Sequence, residues 1–119
     1  MISGRRSEAV GIRCRELGVR DDLVIQASRD KSVDLDEIER ALGLGDAEIA
    51  AMGDDLPDVP MLRRAGFAAC PADAQPQVAA ECDYVCGNEG GRGAVREVAE
   101  LLLKAQGRWQ ELTARWTEV

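Results

Sequence analysis

Short apolar runs alternate along this chain with longer segments whose apolar residues recur at helical spacing. In residues 7–17, Ala9, Val10, Ile12, Cys14 and Leu17 fit one helix face, and Gly18 stops it. Residues 23–27 (Leu-Val-Ile-Gln-Ala) predict a strand. A second helix is expected over 32–42, with Val33, Leu35, Ile38 and Leu42 inward and Gly43 at its end. Asp46 is suited to cap a short turn, and residues 48–52 predict the next strand. A third helix follows over 57–65, a third strand over 67–70, a short helix over 76–81 and a fourth strand over 84–86. The glycine-rich loop 87–93 is expected to be mobile, because glycines cost much entropy to order. The last long helix, over 94–105, places Val95, Val98, Leu101 and Leu102 on one face. A tail carries Trp109, Leu112 and Trp116 at helical spacing, which predicts a terminal helix packed on the body or on a neighbouring subunit. Strands alternating with helices across short loops predict an α/β fold with a parallel sheet and flanking helices.

Composition narrows the class. The chain has 119 residues, enough for one core, and is 45% hydrophobic and 31% charged, too apolar for disorder. A net charge of −7 argues against nucleic acid or an anionic membrane as partner, since both need clustered Lys and Arg. No apolar run approaches the ~20 residues that span a bilayer, and no apolar signal segment follows Met1, so a cytoplasmic location is expected. The absence of histidine excludes Ser-His-Asp, Cys-His and His-metal chemistry within the chain. Cys14, Cys70, Cys82 and Cys86 match no paired Cys-x-x-Cys zinc spacing and are expected to be small buried hydrophobes.

Candidate chemistry sits at the ends of the apolar runs. After Ile49-Ala50-Ala51-Met52 comes Gly53-Asp54-Asp55-Leu56-Pro57-Asp58, a cluster of carboxylates at the C-terminal edge of a strand, where α/β proteins bind ligands. Such an oxygen-rich site suits a hard cation such as Mg²⁺. Ser3-Gly4-Arg5 offers a hydroxyl, glycine-turn amides at a helix start and a planar guanidinium, the ingredients of an anion site. Lys31 follows the second strand, where it can neutralise a phosphate. Each feature also has a plain alternative: a turn, a surface lysine, a capped helix start.

The order of these features resembles the haloacid dehalogenase superfamily: a serine at one strand end, a lysine at the next, an acidic cluster at a third. Ile2-Ser3-Gly4-Arg5, Ala72-Asp73-Ala74, Ala80-Glu81-Cys82-Asp83-Tyr84-Val85 and above all Gly90-Gly91-Arg92-Gly93-Ala94-Val95-Arg96-Glu97 resemble the 3-deoxy-D-manno-octulosonate 8-phosphate (KDO 8-phosphate) phosphatases. Leu101-Leu102-Leu103-Lys104-Ala105-Gln106-Gly107 continues the likeness. It covers residues 2–107, the C-terminal two-thirds of the family domain, which divides the chain into a partial phosphatase domain (1–107) and a helical tail (108–119). The resemblance implies a Rossmann-like sheet and Mg²⁺-dependent hydrolysis of KDO 8-phosphate or a related 2-keto sugar acid phosphate by a cytoplasmic homotetramer serving lipopolysaccharide biosynthesis. It implies that Ser3, Gly4 and Arg5 hold phosphate, that Lys31 steadies the phosphoryl charge, and that Asp54 binds the metal. Asp55 and Asp58 are outer-shell candidates, with Asp55 beside the metal and Asp58 holding a metal water or Lys31. Arg92 lies in a segment that, in such tetramers, reaches a neighbour's site.

The departures are as informative. The family's Asp-x-Asp motif, whose first aspartate is the nucleophile and whose second protonates the leaving oxygen, does not precede Ser3. The one Asp-x-Asp present, Asp34-Leu35-Asp36, falls in a helix after Lys31 and is no substitute. Ala27 and Gln75 stand where the family favours glycine and histidine. An N-terminally truncated domain is therefore expected, inactive alone and exposed along the edges of a missing central strand. The alternative is a non-catalytic module that binds an anionic ligand or holds an oligomer together, as in the C-terminal domains of acylneuraminate cytidylyltransferases. A response-regulator receiver fits less well, because the lysine precedes the acidic cluster.

Overall fold

The computed structural model describes residues 1–118. Three parallel strands, β1 (Ala50–Met52), β2 (Phe67–Cys70) and β3 (Tyr84–Val85), form a sheet in the order β1-β2-β3. Around them lie α1 (Glu8–Glu16), α2 (Lys31–Leu42), α3 (Val59–Arg64), α4 (Pro76–Ala79), α5 (Ala94–Ala105) and α6 (Trp109–Thr117). The α/β class and the parallel sheet are those the sequence predicts.

Local chemistry sets the element ends. Ser7 caps α1 through Val10 N–H, and Asp30 caps α2 through the amides of Ser32 and Val33. Gly43 ends α2 in the left-handed region at φ 67°. Asp46 does not cap its turn; Gly45 occupies the cap position, and the Asp46 carboxylate is taken by Arg64 at 2.8 Å. Arg64 also meets Asp36 and Glu39 and donates to the Ser32 carbonyl, so one guanidinium joins α2, α3 and the turn before β1.

The core sits between the sheet and the helices α2, α3 and α4, where Leu62, Val78 and Cys70 are fully buried with Leu35, Met61 and Ala68 around them. On the other sheet face Ala69 and Cys86 pack on Ala94 and Val98 of α5. The cysteines are reduced; Cys14, Cys70 and Cys86 are buried, and burial pushes the Cys86 thiol up and the half-buried Cys82 thiol up to about 12.

Several expected inward residues face out: Val33 is 53% exposed, Leu42 39% and Val95 73%, and in the tail Leu112 and Trp116 are also exposed while Trp109 packs under Lys104. The strand expected over 23–27 is absent. A 3₁₀ turn takes Asp21–Leu23, and Ala27 turns into the left-handed region at φ 55°. Between them Ile25 makes an isolated parallel bridge to Ile2, donating to the Met1 carbonyl and accepting from Ser3 N–H, each at 2.9 Å.

This Ile2–Ile25 pair and the β1-β2-β3 sheet do not join. Between them lies a slot of about 340 Å³ whose walls include Ile2, Leu35, Ile38, Ala50, Met52 and Met61. Parallel pairing uses alternate residues on each side of a strand. Ile25 takes the groups of Met1 and Ser3, and β2 takes those of Ile49, Ala51 and Gly53, so the main-chain groups of Ile2, Ala50 and Met52 point towards the slot.

Candidate functional site

At the C-terminal end of this slot the chain gathers Ser3, Gly4, Arg5, Lys31, Asp54, Asp55, Pro57 and Asp58 around an open basin of about 440 Å³. Three separate segments supply them: the turn after Ile2, the first residue of α2, and the loop after β1 with the 3₁₀ turn Leu56–Asp58 that continues it. The predicted site residues converge, with one exception. Arg92 stays outside the basin; its side chain is 82% exposed and its nearest carboxylate is Glu89 at 4.0 Å.

Asp58 organises the floor. It is 5% exposed, and one carboxylate oxygen accepts from Asp54 N–H at 2.9 Å and Asp55 N–H at 3.1 Å while the other pairs with the Lys31 ammonium. Burial pushes the Asp58 carboxyl up, but Lys31 and the two amides outweigh it and hold it below the ordinary carboxylate value. Gly53 makes this possible, since a Cβ there would lie 2.6 Å from Asp58 Cγ. The sequence left open whether Asp55 or Asp58 lies nearer a metal. In the structure Asp58 is committed to protein donors and Asp55 caps the turn through Leu56 N–H at 2.8 Å, while the exposed Asp54 carboxylate makes no protein hydrogen bond among the described residues.

The turn at Ser3 differs from the expectation. It is not the start of a helix: α1 begins at Glu8, and Ser7 is its cap. Arg5 N–H instead donates to Ser3 Oγ at 3.2 Å, which folds the turn on itself and leaves the hydroxyl at the basin wall.

Among the described residues no group of three or more acidic or cysteine side chains forms a ready metal cage. The donor set still fits a hard divalent cation that keeps most of its waters and takes one or two carboxylates. Asp54 has the free carboxylate, and Asp55 has one oxygen outside its cap. Lys31 and Arg5 leave room for an anionic ligand beside the cation.

Residues that the sequence reading gave no role organise the loop next to the basin. The Glu97 carboxylate accepts from Tyr84 Oη at 2.6 Å, Gly87 N–H at 3.0 Å and Asn88 N–H at 3.0 Å. Tyr84 and these amides hold the Glu97 carboxyl below its ordinary value. Asp73 accepts from Gly90 N–H at 2.8 Å, and Ala72 N–H donates to the Asn88 carbonyl at 2.9 Å. The loop expected to be mobile is thus held to the body at Gly87, Asn88 and Gly90. The available signal was a glutamate in the first turn of the helix that follows a glycine-rich loop.

The family model of the haloacid dehalogenase-like hydrolases matches residues 21–98. The chain belongs to that family. This haloacid dehalogenase-like chain is 38% identical over 111 residues to the 3-deoxy-D-manno-octulosonate 8-phosphate phosphatase KdsC of Escherichia coli K12, covering 93% of the chain and 58% of the relative. It therefore spans little more than half the length of such curated relatives. The KDO 8-phosphate phosphatase of Moraxella catarrhalis, solved with magnesium, phosphate and KDO, superposes with a TM-score of 0.92 at 40% identity, over 98% of this chain and 66% of that one. The cobalt-bound Haemophilus influenzae enzyme gives a TM-score of 0.87 at 30% identity, over 92% and 63%.

Proposed function

We propose that this chain carries the phosphate- and metal-binding half of a phosphomonoester hydrolase acting on KDO 8-phosphate or a related 2-keto sugar acid phosphate. The observation that supports this best is the meeting of Ser3, Lys31, Asp54 and Asp58 in one basin from three separate segments. Phosphoryl transfer asks the protein for positioning and for positive charge around the equatorial oxygens. Lys31 supplies such a charge, and Asp58 fixes where it stands. The Ser3 hydroxyl and Arg5 guanidinium add donors to the opposite wall. Asp54, with Asp55 beside it, would hold Mg²⁺, which when bound neutralises phosphate charge and orients the phosphoryl group.

The nucleophile is not among these side chains. Asp54, Asp55 and Asp58 are assigned to metal, cap and lysine, and Asp34 and Asp36 lie on α2. The slot above the basin is flanked by the main-chain groups of Ile2 on one side and of Ala50 and Met52 on the other, and its walls are mostly apolar. An extended segment seated there, parallel to both neighbours, would deliver its C-terminal residue to the basin. We place the missing carboxylate nucleophile on such a segment. Assembly as a homo-oligomer, with Arg92 serving a neighbouring copy, belongs to the same reading, and the exposure of the Arg92 side chain is compatible with it.

The test is hydrolysis of KDO 8-phosphate with Mg²⁺ by the purified chain, alone and with a peptide of alternating apolar residues ending in Asp-x-Asp. No turnover alone and turnover with the peptide is the expected result. Turnover by the chain alone at rates typical of enzymes, about 1 s⁻¹ or more, would place the nucleophile within these residues and overturn the assignment.

A further inference from the structure

Beside Asp54, and separate from the basin, lies a second recess of about 180 Å³ formed by Met52, Gly53, Pro71, Gly90, Ala94 and Val95 with Asp54 at its rim. Its walls are chiefly apolar, and it is smaller than the ~300 Å³ at which whole-ligand pockets begin. It suits one carbon edge of a ligand whose phosphate lies in the neighbouring basin beyond Asp54. Val95 is 73% exposed at this rim, an apolar side chain that no protein contact explains.

One wall of the recess is backbone from loop 87–93, and that wall stands where it does because of carboxylates outside it. Glu97 holds the Gly87 and Asn88 amides and the Tyr84 hydroxyl, and Asp73 holds the Gly90 amide. Gly91 and Gly93 are in the left-handed region, at φ 73° and 98°, so the loop follows a path that other residues adopt at a cost. Among the described residues, these carboxylates are the hydrogen-bond partners of the Gly87 and Gly90 amides.

We propose that Glu97 and Asp73 are positioning residues that latch loop 87–93 into a wall, and that the recess behind it receives the carbon skeleton of the phosphate ester. The second half rests on the proposed phosphatase function and deepens it: the basin binds phosphate, and the latched recess discriminates what the phosphate is attached to. Neither carboxylate touches the phosphate itself, so their loss is felt by the ester and not by the free anion.

Two measurements separate the halves. Hydrogen exchange is followed in the wild type, Glu97→Ala, Glu97→Gln, Asp73→Asn and Tyr84→Phe. Losing the latch in Glu97→Ala speeds exchange of the Gly87 and Asn88 amides by about tenfold or more, while amides of α3 keep their wild-type rates. Glu97→Gln, which keeps a side-chain oxygen, falls between, Asp73→Asn loosens Gly90 alone, and Tyr84→Phe leaves the amides protected. Hydrogen bonding to Glu97 raises the Tyr84 phenol above its ordinary value, so its absorbance titration moves back down in Glu97→Gln. Loop exchange that is unchanged in Glu97→Ala, or that rises equally throughout the molecule, overturns the latch.

Calorimetry with Mg²⁺ then compares inorganic phosphate with KDO 8-phosphate. In Glu97→Ala the ester weakens by about tenfold and inorganic phosphate stays within about twofold. Equal weakening of both, or of neither, overturns the role of the recess. A wild-type chain that binds neither probe overturns both the recess and the function it rests on, while the exchange data still decide the latch.

Discussion

Asp58 is the residue on which the basin depends most. It is nearly fully buried, satisfies two amides of the acidic loop and holds Lys31, whose side chain is 17% exposed. Replacing Asp58 with Asn leaves a half-buried ammonium without its counter-charge and should cost about 3 kcal/mol in urea denaturation. The pH dependence follows from the direction of its shift. Its carboxyl is held below the ordinary value in the fold, so its contribution is complete above the unfolded-state value of about 3.9 and is lost as pH falls through the lower folded value. Stability measured against pH should therefore decline less steeply on the acid side in Asp58→Asn than in the wild type. The pairing of Lys31 with Asp58 was legible in the sequence only through family resemblance, because the two residues lie 27 positions apart. Glu97 illustrates the opposite case. Its residue type and position were visible, but nothing in a linear sequence says that Tyr84, Gly87 and Asn88 return to it. Ala27 was noted as a departure from glycine, and its φ of 55° supplies the reason that glycine is favoured there.

Helices were easier to foresee than strands. α2 and α5 begin and end within a residue of the expected positions because their caps and the glycines near their ends act locally. Which apolar residues face inward was less legible: Val33, Leu42 and Val95 have helical spacing but remain exposed among the described residues. The failed strand at 23–27 was no more legible, since a strand exists only with its neighbours and Ile25 has one short partner in Ile2. The contact of the start of β2 with the turn before β1 is set by Gly66, which no sequence pattern singled out. A Cβ there would lie 2.8 Å from the Ala47 carbonyl carbon. Gly66→Ala should destabilise the chain by about 2 kcal/mol, measured by chemical denaturation. In the core, Leu62 is 1% exposed, and Leu62→Ala should cost about 3 kcal/mol, a loss readable as an earlier urea midpoint at unchanged slope.

For the molecule as a whole, the slot between Ile2 and β1 joins fold to function. It leaves main-chain groups of Ile2 and of β1 without strand partners among the described residues and opens onto the basin that holds Lys31 and Asp54. An apolar, extended peptide that seats there should raise the thermal midpoint of the chain in proportion to its occupancy, and a peptide with proline at alternate positions should not. The central claim, that the basin is built for phosphate with a divalent cation, is tested most directly by calorimetric titration of inorganic phosphate with and without Mg²⁺, in the wild type, Lys31→Ala and Asp54→Asn. Binding that requires Mg²⁺ and falls by about tenfold or more in each variant is the predicted result. Phosphate binding that is indifferent to Mg²⁺ and to both substitutions, or no binding at all by a folded chain, would contradict it.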